Sequence, residues 1–289
     1  MPNTAAETFL ARAEAVLARL EELLPPPPVA PAWESAIAFR WRRRNGRAEL
    51  QAIPHPQRIQ LKNLHGVEEQ KQRIDRNTRQ FVAGRPANNV LLTGARGTGK
   101  SSLVKAMLDK YSAKGLRLIE VDKHDLLDLP EIVELIYGRS ERFILFCDDL
   151  SFEAGEPGYQ ALKAALDGSL ASPPDNLLIY ATSNRRHLMP EYMTENLETR
   201  HADGEVHPGE AVEEKVSLSE RFGLWLSFYP FGQDEYLEIA VRWLRVFGVA
   251  QAGSEAVRQA ALLWALERGS RSGRTAWQFA RDWVGLQKP

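Results

Sequence analysis

Short apolar runs alternate with longer helical patterns through the middle of the chain. Five such runs, each five or six residues long, lie between residues 89 and 229. Parallel strands that are covered on both faces by crossover helices give this pattern. It predicts an α/β fold with a five-stranded parallel sheet and flanking helices. The predicted strands are 89–93, 116–121, 143–147, 177–182 and 224–229, and the predicted helices between them are Lys100–Tyr111, 130–137 and 159–170.

A separate helix is predicted at the N-terminus, over residues 4–24. Thr4 and Glu7 can form a capping box, and apolar residues then recur at spacings of three and four. We expect this apolar stripe to pack on the body of the same chain, with a short coiled-coil seam as the alternative. The proline run that begins at Pro25 ends the helix and predicts a stiff, extended linker to Pro31.

Alternating apolar residues and an Asn45-Gly46 pair predict a β-hairpin over residues 37–53. Five arginines surround its turn. They could bind phosphates or an acidic partner, but a charged strand edge that discourages aggregation has the same composition. The arginines are Arg40, Arg42, Arg43, Arg44 and Arg47.

Beyond Gly232 the strand patterns stop and three helical patterns follow, at 236–247, 255–268 and 275–286. We expect four tryptophans to form the small core of this helical tail, namely Trp243, Trp264, Trp277 and Trp283. The patterns divide the chain into an N-terminal helix with linker (1–32), a basic hairpin (33–57), an α/β core (58–231) and a helical lid (232–289).

Composition narrows the class of protein without naming a ligand. With 44% hydrophobic and 26% charged residues, the chain is not disordered as a whole, and a net charge of -1 favours no particular partner. The single cysteine, Cys147, excludes an internal disulfide and fits a reducing compartment. No apolar run approaches the ~20 residues of a membrane-spanning helix, and charges interrupt the N-terminus where a signal peptide would be apolar. We therefore expect no membrane contact and a cytoplasmic location.

The strongest motif, Gly94-x-x-x-x-Gly99-Lys100-Ser101, lies directly after a predicted strand and opens a predicted helix. Glycines let several backbone N–H groups turn inward around a phosphate chain, and the helix N-terminus adds partial positive charge. Lys100 is expected to reach the β- and γ-phosphates of ATP, and the Ser101 hydroxyl to bind Mg²⁺. The predicted nucleotide-binding residues are Gly94, Ala95, Arg96, Gly97, Thr98, Gly99, Lys100, Ser101 and Ser102.

Polar side chains end two other predicted strands. Asp148 and Asp149 follow the strand 143–147, and Asn184 follows 177–182. Ligands of open α/β sheets bind at the carboxyl ends of the strands, so these groups are expected beside the phosphates. Asp148 would hold Mg²⁺ through a water molecule, Asp149 would polarise the attacking water, and Asn184 would orient that water or contact the γ-phosphate. Aspartate and asparagine also cap turns, which leaves a purely structural role open for each.

Two arginines complete the pattern: Arg221 in the segment 219–223 and Arg274 in the segment 272–276. In order and spacing, these motifs resemble those of AAA+ ATPases, and 64–67 and 86–93 are similar to the approach to the phosphate loop in that superfamily. Over residues 35–289 the chain more closely resembles an uncharacterised bacterial family of such ATPases, known only as a domain of unknown function. The segments that carry this resemblance are 88–94, 147–153, 180–187 and 217–223.

The resemblance implies roles for single residues. Asn184 corresponds to the sensor-1 position, Arg221 to the arginine finger and Arg274 to sensor 2 on the helical lid. Arg271 is a rival for the lid role, while Arg221 could be a surface residue and Arg274 could simply begin a helix. The usual Asp-Glu pair is Asp-Asp here, and the shorter second side chain implies slow hydrolysis or a contribution from Glu153.

The resemblance also implies a Mg²⁺- and ATP-dependent switch that remodels or regulates a protein partner and assembles as a homo-oligomer. A nucleic-acid-associated ATPase that uses the basic hairpin and a small-molecule kinase remain alternatives. Some AAA+ proteins carry a pore loop between the second and third strands, but residues 123–130 at that place in this chain predict a polar turn. The acidic segment 190–217 could dock a basic partner or be a solvated loop, and His201 and His207 are too isolated to predict a metal site.

Overall fold

A computed structural model describes residues 4–23, 31–44, 47–152, 156–167, 174–184, 200–202, 205–207 and 218–287. Its helices are α1 (Thr4–Leu23), α2 (Glu68–Val82), α3 (Lys100–Tyr111), α4 (Leu129–Ile136), α5 (Pro157–Asp167), α6 (Gln233–Val246), α7 (Glu255–Glu267) and α8 (Gly273–Gln287). Its strands are β1 (Ala38–Arg44), β2 (Arg47–Ala52), β3 (Val90–Gly94), β4 (Leu116–Glu120), β5 (Arg142–Cys147), β6 (Leu177–Ser183), β7 (Arg200–Ala202), β8 (Glu205–His207) and β9 (Leu224–Phe228).

The main sheet has the strand order β2-β1-β4-β5-β6-β3-β9. The five strands predicted from apolar runs all pair in parallel with one another, and β3, which leads into the glycine-rich loop, lies between β6 and β9. The α/β class is therefore confirmed. The sheet has two more strands than predicted because β1 pairs in parallel with β4, and β2 adds an antiparallel edge.

Both faces of the sheet are covered, as the apolar runs predict. Consecutive strand residues point to opposite faces, so Leu92 belongs to one core cluster, with residues of α2, α3 and the C-terminal helices, whereas Leu91 belongs to the other, with residues of α4 and α5. Side chains on β3, β5 and β6 are almost wholly buried. These strands form a rigid base, and their carboxyl ends carry the candidate functional residues.

Three details of the sequence interpretation are corrected. Residues 123–130 are not a turn: a 3-10 helix at Lys123–Asp128 leads directly into α4, and its residues Leu126 and Asp128 are buried, as a solvated polar turn would not be. The described leucines in the apolar stripe of α1 do not pack on the chain, since Leu10 and Leu17 are 60% and 58% exposed. Trp277, 36% exposed under the Arg281 guanidinium, is not part of the lid core.

The other lid tryptophans, Trp243, Trp264 and Trp283, do pack against the core, as predicted. The hairpin turn at 45–46, most of the proline-rich stretch, most of 190–217 and Glu153 lie outside the described residues. Two short strands within 190–217, β7 and β8, pair with each other in antiparallel fashion. Among the described residues, no helix combines the length and apolar character needed to span a membrane.

Candidate nucleotide site

The glycine-rich loop leaves β3 through a conformation that only glycine fits. Gly94 has a φ of 125°, and a Cβ atom there would lie 1.9 Å from the Phe228 carbonyl oxygen on β9. The Ala95 N–H donates to that same carbonyl at 3.2 Å. The loop is thus fixed to the neighbouring strand at its first turn, and Thr98 Oγ1, which donates to the Ala95 carbonyl at 2.8 Å, braces it from within.

Lys100, the first residue of α3, turns its side chain back under this loop. Its Nζ donates to the carbonyls of Gly94 at 2.7 Å and Ala95 at 2.8 Å, and to Asn184 Oδ1 at 3.0 Å. The residue is only 6% exposed. Burial lowers the pKa of the Lys100 ammonium, and the nearby carboxylates of Asp149 and Asp148 act in the opposite direction.

Asp148, at the end of β5, is held through one carboxylate oxygen. Its Oδ1 accepts hydrogen bonds from Ser101 Oγ and from Thr182 Oγ1, both at 2.6 Å. Its Oδ2 takes part in neither bond. A serine hydroxyl and an exposed carboxylate at hydrogen-bond distance are hard oxygen donors of the kind Mg²⁺ prefers, so the residues present fit this ion.

Asp149 departs from the strand geometry that precedes it. Its φ of 54° is in the left-handed region, which aspartate enters more readily than most residues, and no other non-glycine residue of the described chain has a positive φ. Its backbone N–H donates to Thr182 Oγ1 at 2.9 Å. Its carboxylate accepts from the Asn184 side-chain amide. Asn184 therefore joins the Lys100 ammonium to the second carboxylate.

The lid helix α8 begins against the glycine-rich loop. A Cβ atom at Gly97 would lie 2.7 Å from Ser272 Oγ and 3.5 Å from Arg274 Cβ, and one at Gly273 would lie 3.2 Å from the Gly97 carbonyl. The Ser272 hydroxyl caps α8 by accepting the Thr275 N–H at 3.1 Å. Arg274 therefore starts from the wall of the loop, with an exposed side chain.

Arg271, the rival for the lid role, and Arg221, the predicted arginine finger, have other contacts. Arg271 lines a groove on the lid together with Leu263 and Leu266. Arg221 forms an ion pair with Asp167, the last residue of α5. The structure thus brings Lys100, Ser101, Asp148, Asp149 and Asn184 together in one site. Arg274 lies beside the glycine-rich loop of this site, whereas Arg221 is paired with Asp167.

Two residues near the site were missed in the sequence. Thr182 and Ser272 each use a hydroxyl that no motif singles out. A threonine near the end of a strand and a serine before a helix are ordinary choices for those positions, and only their neighbours in space distinguish them. Cys147, the last residue of β5, is buried in the core, and this burial raises the pKa of its thiol to about 12.

The basic hairpin keeps part of its charge paired inside the protein. Arg40 donates to Glu120 Oε2 at 2.6 and 2.9 Å. Arg43 forms an ion pair with Asp128, which also accepts the Trp41 indole N–H at 2.9 Å. Two of the five arginines thus have carboxylate partners in the same chain. The side chains of Arg44 and Arg47 lie outside the described part.

A glycine-rich loop after a central parallel strand, carboxylates at a nearby strand end, an amide between them and a helical lid define an AAA+ P-loop protein. The chain belongs to the family described as "Protein of unknown function (DUF815)", whose model matches residues 34–287. This agrees with the resemblance drawn from the motifs. In the described residues no group of three or more His, Cys, Asp or Glu side chains could hold a metal ion by itself.

One curated relative is the 26S proteasome regulatory subunit 4 homolog of Schizosaccharomyces pombe, 28% identical over 219 residues. The match takes in 69% of this chain and 47% of the relative, so the chain spans about half of that protein's length. Solved structures with a similar fold include a variant of Thermotoga maritima RuvB, at 17% identity and a TM-score of 0.48 over 77% of this chain and 63% of that one.

Two further solved structures are similar over comparable lengths. The Aeropyrum pernix ORC1 protein in complex with DNA has 14% identity and a TM-score of 0.43, over 76% of this chain and 66% of that one. A chain of the HORMA:CdnC:Trip13 complex of E. coli MS115-1 has 13% identity and a TM-score of 0.47, over 77% of this chain and 90% of that one.

Proposed function

We propose that this protein binds ATP with Mg²⁺ and hydrolyses it, and that it works as a nucleotide-driven switch on a protein partner. The observation that carries the proposal is the convergence of a buried lysine, a serine hydroxyl, two carboxylates and an amide around one glycine-rich loop. The contacts at Lys100, Asp148 and Asp149 join three separate strand ends into that site.

Each group has a distinct role in this proposal. The loop N–H groups and the Lys100 ammonium bind the phosphates, and Ser101 and Asp148 hold Mg²⁺, which supplies charge neutralisation at the β- and γ-phosphates. Asp149 accepts a proton from the attacking water or orients it. Asn184, which is hydrogen-bonded to both Lys100 and Asp149, fixes the position of the Asp149 base relative to the Lys100 ammonium that binds the phosphates.

The lid supplies the switch. Because Ser272 and Gly273 pack directly on Gly97, a change in the loop on nucleotide binding or hydrolysis is transmitted to the start of α8. Arg274 at that same helix start reaches the nucleotide from the lid. Arg221 acts in a neighbouring copy of the chain, where a positive charge at the γ-phosphate counts most as charge is redistributed during hydrolysis.

A protein partner is favoured over nucleic acid by the state of the hairpin. Arg40 and Arg43 already neutralise carboxylates of the chain itself, so the hairpin offers less free positive charge than its sequence suggests. Nucleic-acid affinity grows with the number of phosphates that free basic side chains can neutralise. In the part of the chain that the structure describes, no comparable feature supports phosphoryl transfer to a small molecule.

Turnover of ATP tests the catalytic part of the proposal. We expect Asp149→Asn to retain ATP binding and to lose hydrolysis by about 100-fold or more, because loss of a positioned general base costs factors of about 10² to 10⁴. Asp175→Asn, at the opposite, amino end of β6, is the matched control and should hydrolyse ATP as the wild type does. Equal turnover in all three proteins would remove Asp149 from the mechanism, and no turnover in the wild type would remove the hydrolase proposal.

A further inference from the structure

Resting on the proposed hydrolysis, we propose that Thr182 is a positioning residue that sets both carboxylates of the site through its single hydroxyl group. Neither the glycine-rich loop nor the acidic strand end contains it. It lies on β6, the strand between β3 and β5, one residue beyond the last paired position of the β5 ladder, Cys147 with Ala181. That position puts it beside the residues that follow β5.

Thr182 fixes three consecutive residues after β5. Its Oγ1 donates to Asp148 Oδ1 at 2.6 Å and accepts the Asp149 N–H at 2.9 Å. Its backbone carbonyl accepts the Leu150 N–H at 2.7 Å. The side chain is buried, with 1% of the residue exposed, so water does not compete for these bonds.

The site needs such a device because of strand geometry. Successive side chains of an extended strand point to opposite faces of the sheet, so an unbroken strand would direct only one of two adjacent aspartates toward the loop. The left-handed backbone at Asp149 breaks this alternation. A left-handed non-glycine residue carries a conformational cost, which surrounding bonds must offset, and the bond from the Asp149 N–H to Thr182 stabilises that conformation.

The hydroxyl chemistry matches the two tasks. A threonine hydroxyl has one proton and two lone pairs, so it can donate to a carboxylate and accept an N–H at the same time. The donated bond falls on Asp148 Oδ1, the oxygen that also accepts Ser101. Asp148 is therefore oriented through its Oδ1 atom, while its Oδ2 atom takes part in neither of these two hydrogen bonds. Valine has the same shape and can perform neither task.

If the Thr182 hydroxyl only stabilised the fold, its loss should have the same effect as the loss of another buried threonine hydroxyl, and Thr78 provides that comparison. Thr78 is also fully buried, and its hydroxyl also has two partners, the Ile74 carbonyl and the Tyr180 hydroxyl, each at 2.8 Å. It lies on α2 and belongs to no part of the proposed site. Thr78→Val and Thr182→Val therefore remove equivalent buried hydroxyls, one outside the site and one within it.

The test compares wild type, Thr182→Val, Thr182→Ser and Thr78→Val. We expect Thr182→Val to keep the ATP affinity measured in EDTA, to bind Mn²⁺ about 10- to 100-fold more weakly in the presence of nucleotide, as followed by electron paramagnetic resonance, and to lose turnover by a similar factor. That factor corresponds to one lost hydrogen bond to a charged group. Thr182→Ser should restore both properties, and Thr78→Val should change only the melting temperature.

The outcomes separate this proposal from the function on which it rests. A wild type that binds no nucleotide overturns both. If the wild type binds nucleotide, unchanged Mn²⁺ affinity in Thr182→Val overturns the role of Thr182 alone, and this readout decides even when turnover is slow. Failure of serine to restore metal binding, or an equal loss in Thr78→Val, overturns it as well.

Discussion

At the scale of single residues, Asp128 shows how one buried carboxylate can connect two distant parts of the chain. It is 2% exposed, lies at the end of the 3-10 helix before α4, and accepts hydrogen bonds from both Trp41 and Arg43 of strand β1. The bond from Arg43 lowers the pKa of Asp128 below its ordinary value of 3.8, and the Trp41 bond adds to this effect against the opposing effect of burial.

Removal of this carboxylate should therefore weaken the fold in a pH-dependent way. We expect Asp128→Ala to lower the free energy of unfolding by about 1–3 kcal/mol at pH 7, because it leaves the buried indole N–H without an acceptor. A carboxylate with a lowered pKa in the folded state stabilises above its unfolded value and ceases to do so as pH falls through the folded value. The difference between variant and wild type should shrink below about pH 4.

Urea unfolding from pH 7 down to pH 3 measures this prediction, with Arg42→Ala on the exposed side of the same strand as the control. Arg42 is exposed, so its loss should leave stability nearly unchanged. A destabilisation of Asp128→Ala that is absent at pH 7, or that persists undiminished in acid, would contradict the assigned role.

The residue scale also shows where sequence reasoning stops. Lys100, Ser101, Asp148, Asp149 and Asn184 could be found because spacing and strand context limit the roles that such residues can have. The left-handed backbone of Asp149 and the two hydrogen bonds of the Thr182 hydroxyl could not be found in this way, because they depend on how β5 and β6 align in space. A threonine two residues before Asn184 has no local signature that separates it from any other β-branched strand residue.

At the scale of elements, strands were easier to predict than their partners. Buried parallel strands are continuous apolar runs, so β3, β4, β5, β6 and β9 were identified nearly at their observed bounds. The hairpin was identified too, but its place beside β4 is set by pairing between residues such as Ala38 and Leu118, 80 positions apart, which the local pattern does not indicate. The five-stranded expectation was short by those two strands for this reason.

Amphipathic helices presented the opposite difficulty. The apolar stripe of α1 correctly predicted a helix, yet the periodicity of a helix does not indicate what its apolar face contacts. Phe9, Leu10, Val16 and Leu17 are all more than half exposed. In the lid, by contrast, three tryptophans pack against the core as predicted, because the helices α6, α7 and α8, joined by short connections, pack on one another.

At the scale of the whole molecule, the proposed arginine finger requires a second copy of the chain. Within one chain Arg221 is paired with Asp167, so its role at the γ-phosphate of a neighbour would replace that ion pair on assembly. ATP binding by one copy and the arginine finger of the other can be separated with two variants, each expected to be inactive alone. Lys100→Ala keeps the finger but binds ATP weakly, and Arg221→Ala binds ATP but lacks the finger.

We expect a mixture of Lys100→Ala and Arg221→Ala to recover part of the wild-type turnover, because the first variant can supply Arg221 to the ATP bound by the second. A finger that acts in trans typically changes turnover by factors of about 10³ to 10⁵, so even partial recovery is measurable. A mixture that hydrolyses no more ATP than its components would argue for action within one chain or for a purely structural Arg221.

The most direct measurement for the central claim is the affinity of the purified protein for fluorescently labelled ATP, in wild type, Lys100→Ala and Lys105→Ala. Lys105 is the matched control, since it lies on the same helix and donates to Gln57 instead of the loop. The account predicts that Lys100→Ala weakens binding by about 100-fold, the cost of a lost charge-assisted contact, and that Lys105→Ala binds as the wild type does. Equal affinity in all three proteins would contradict it.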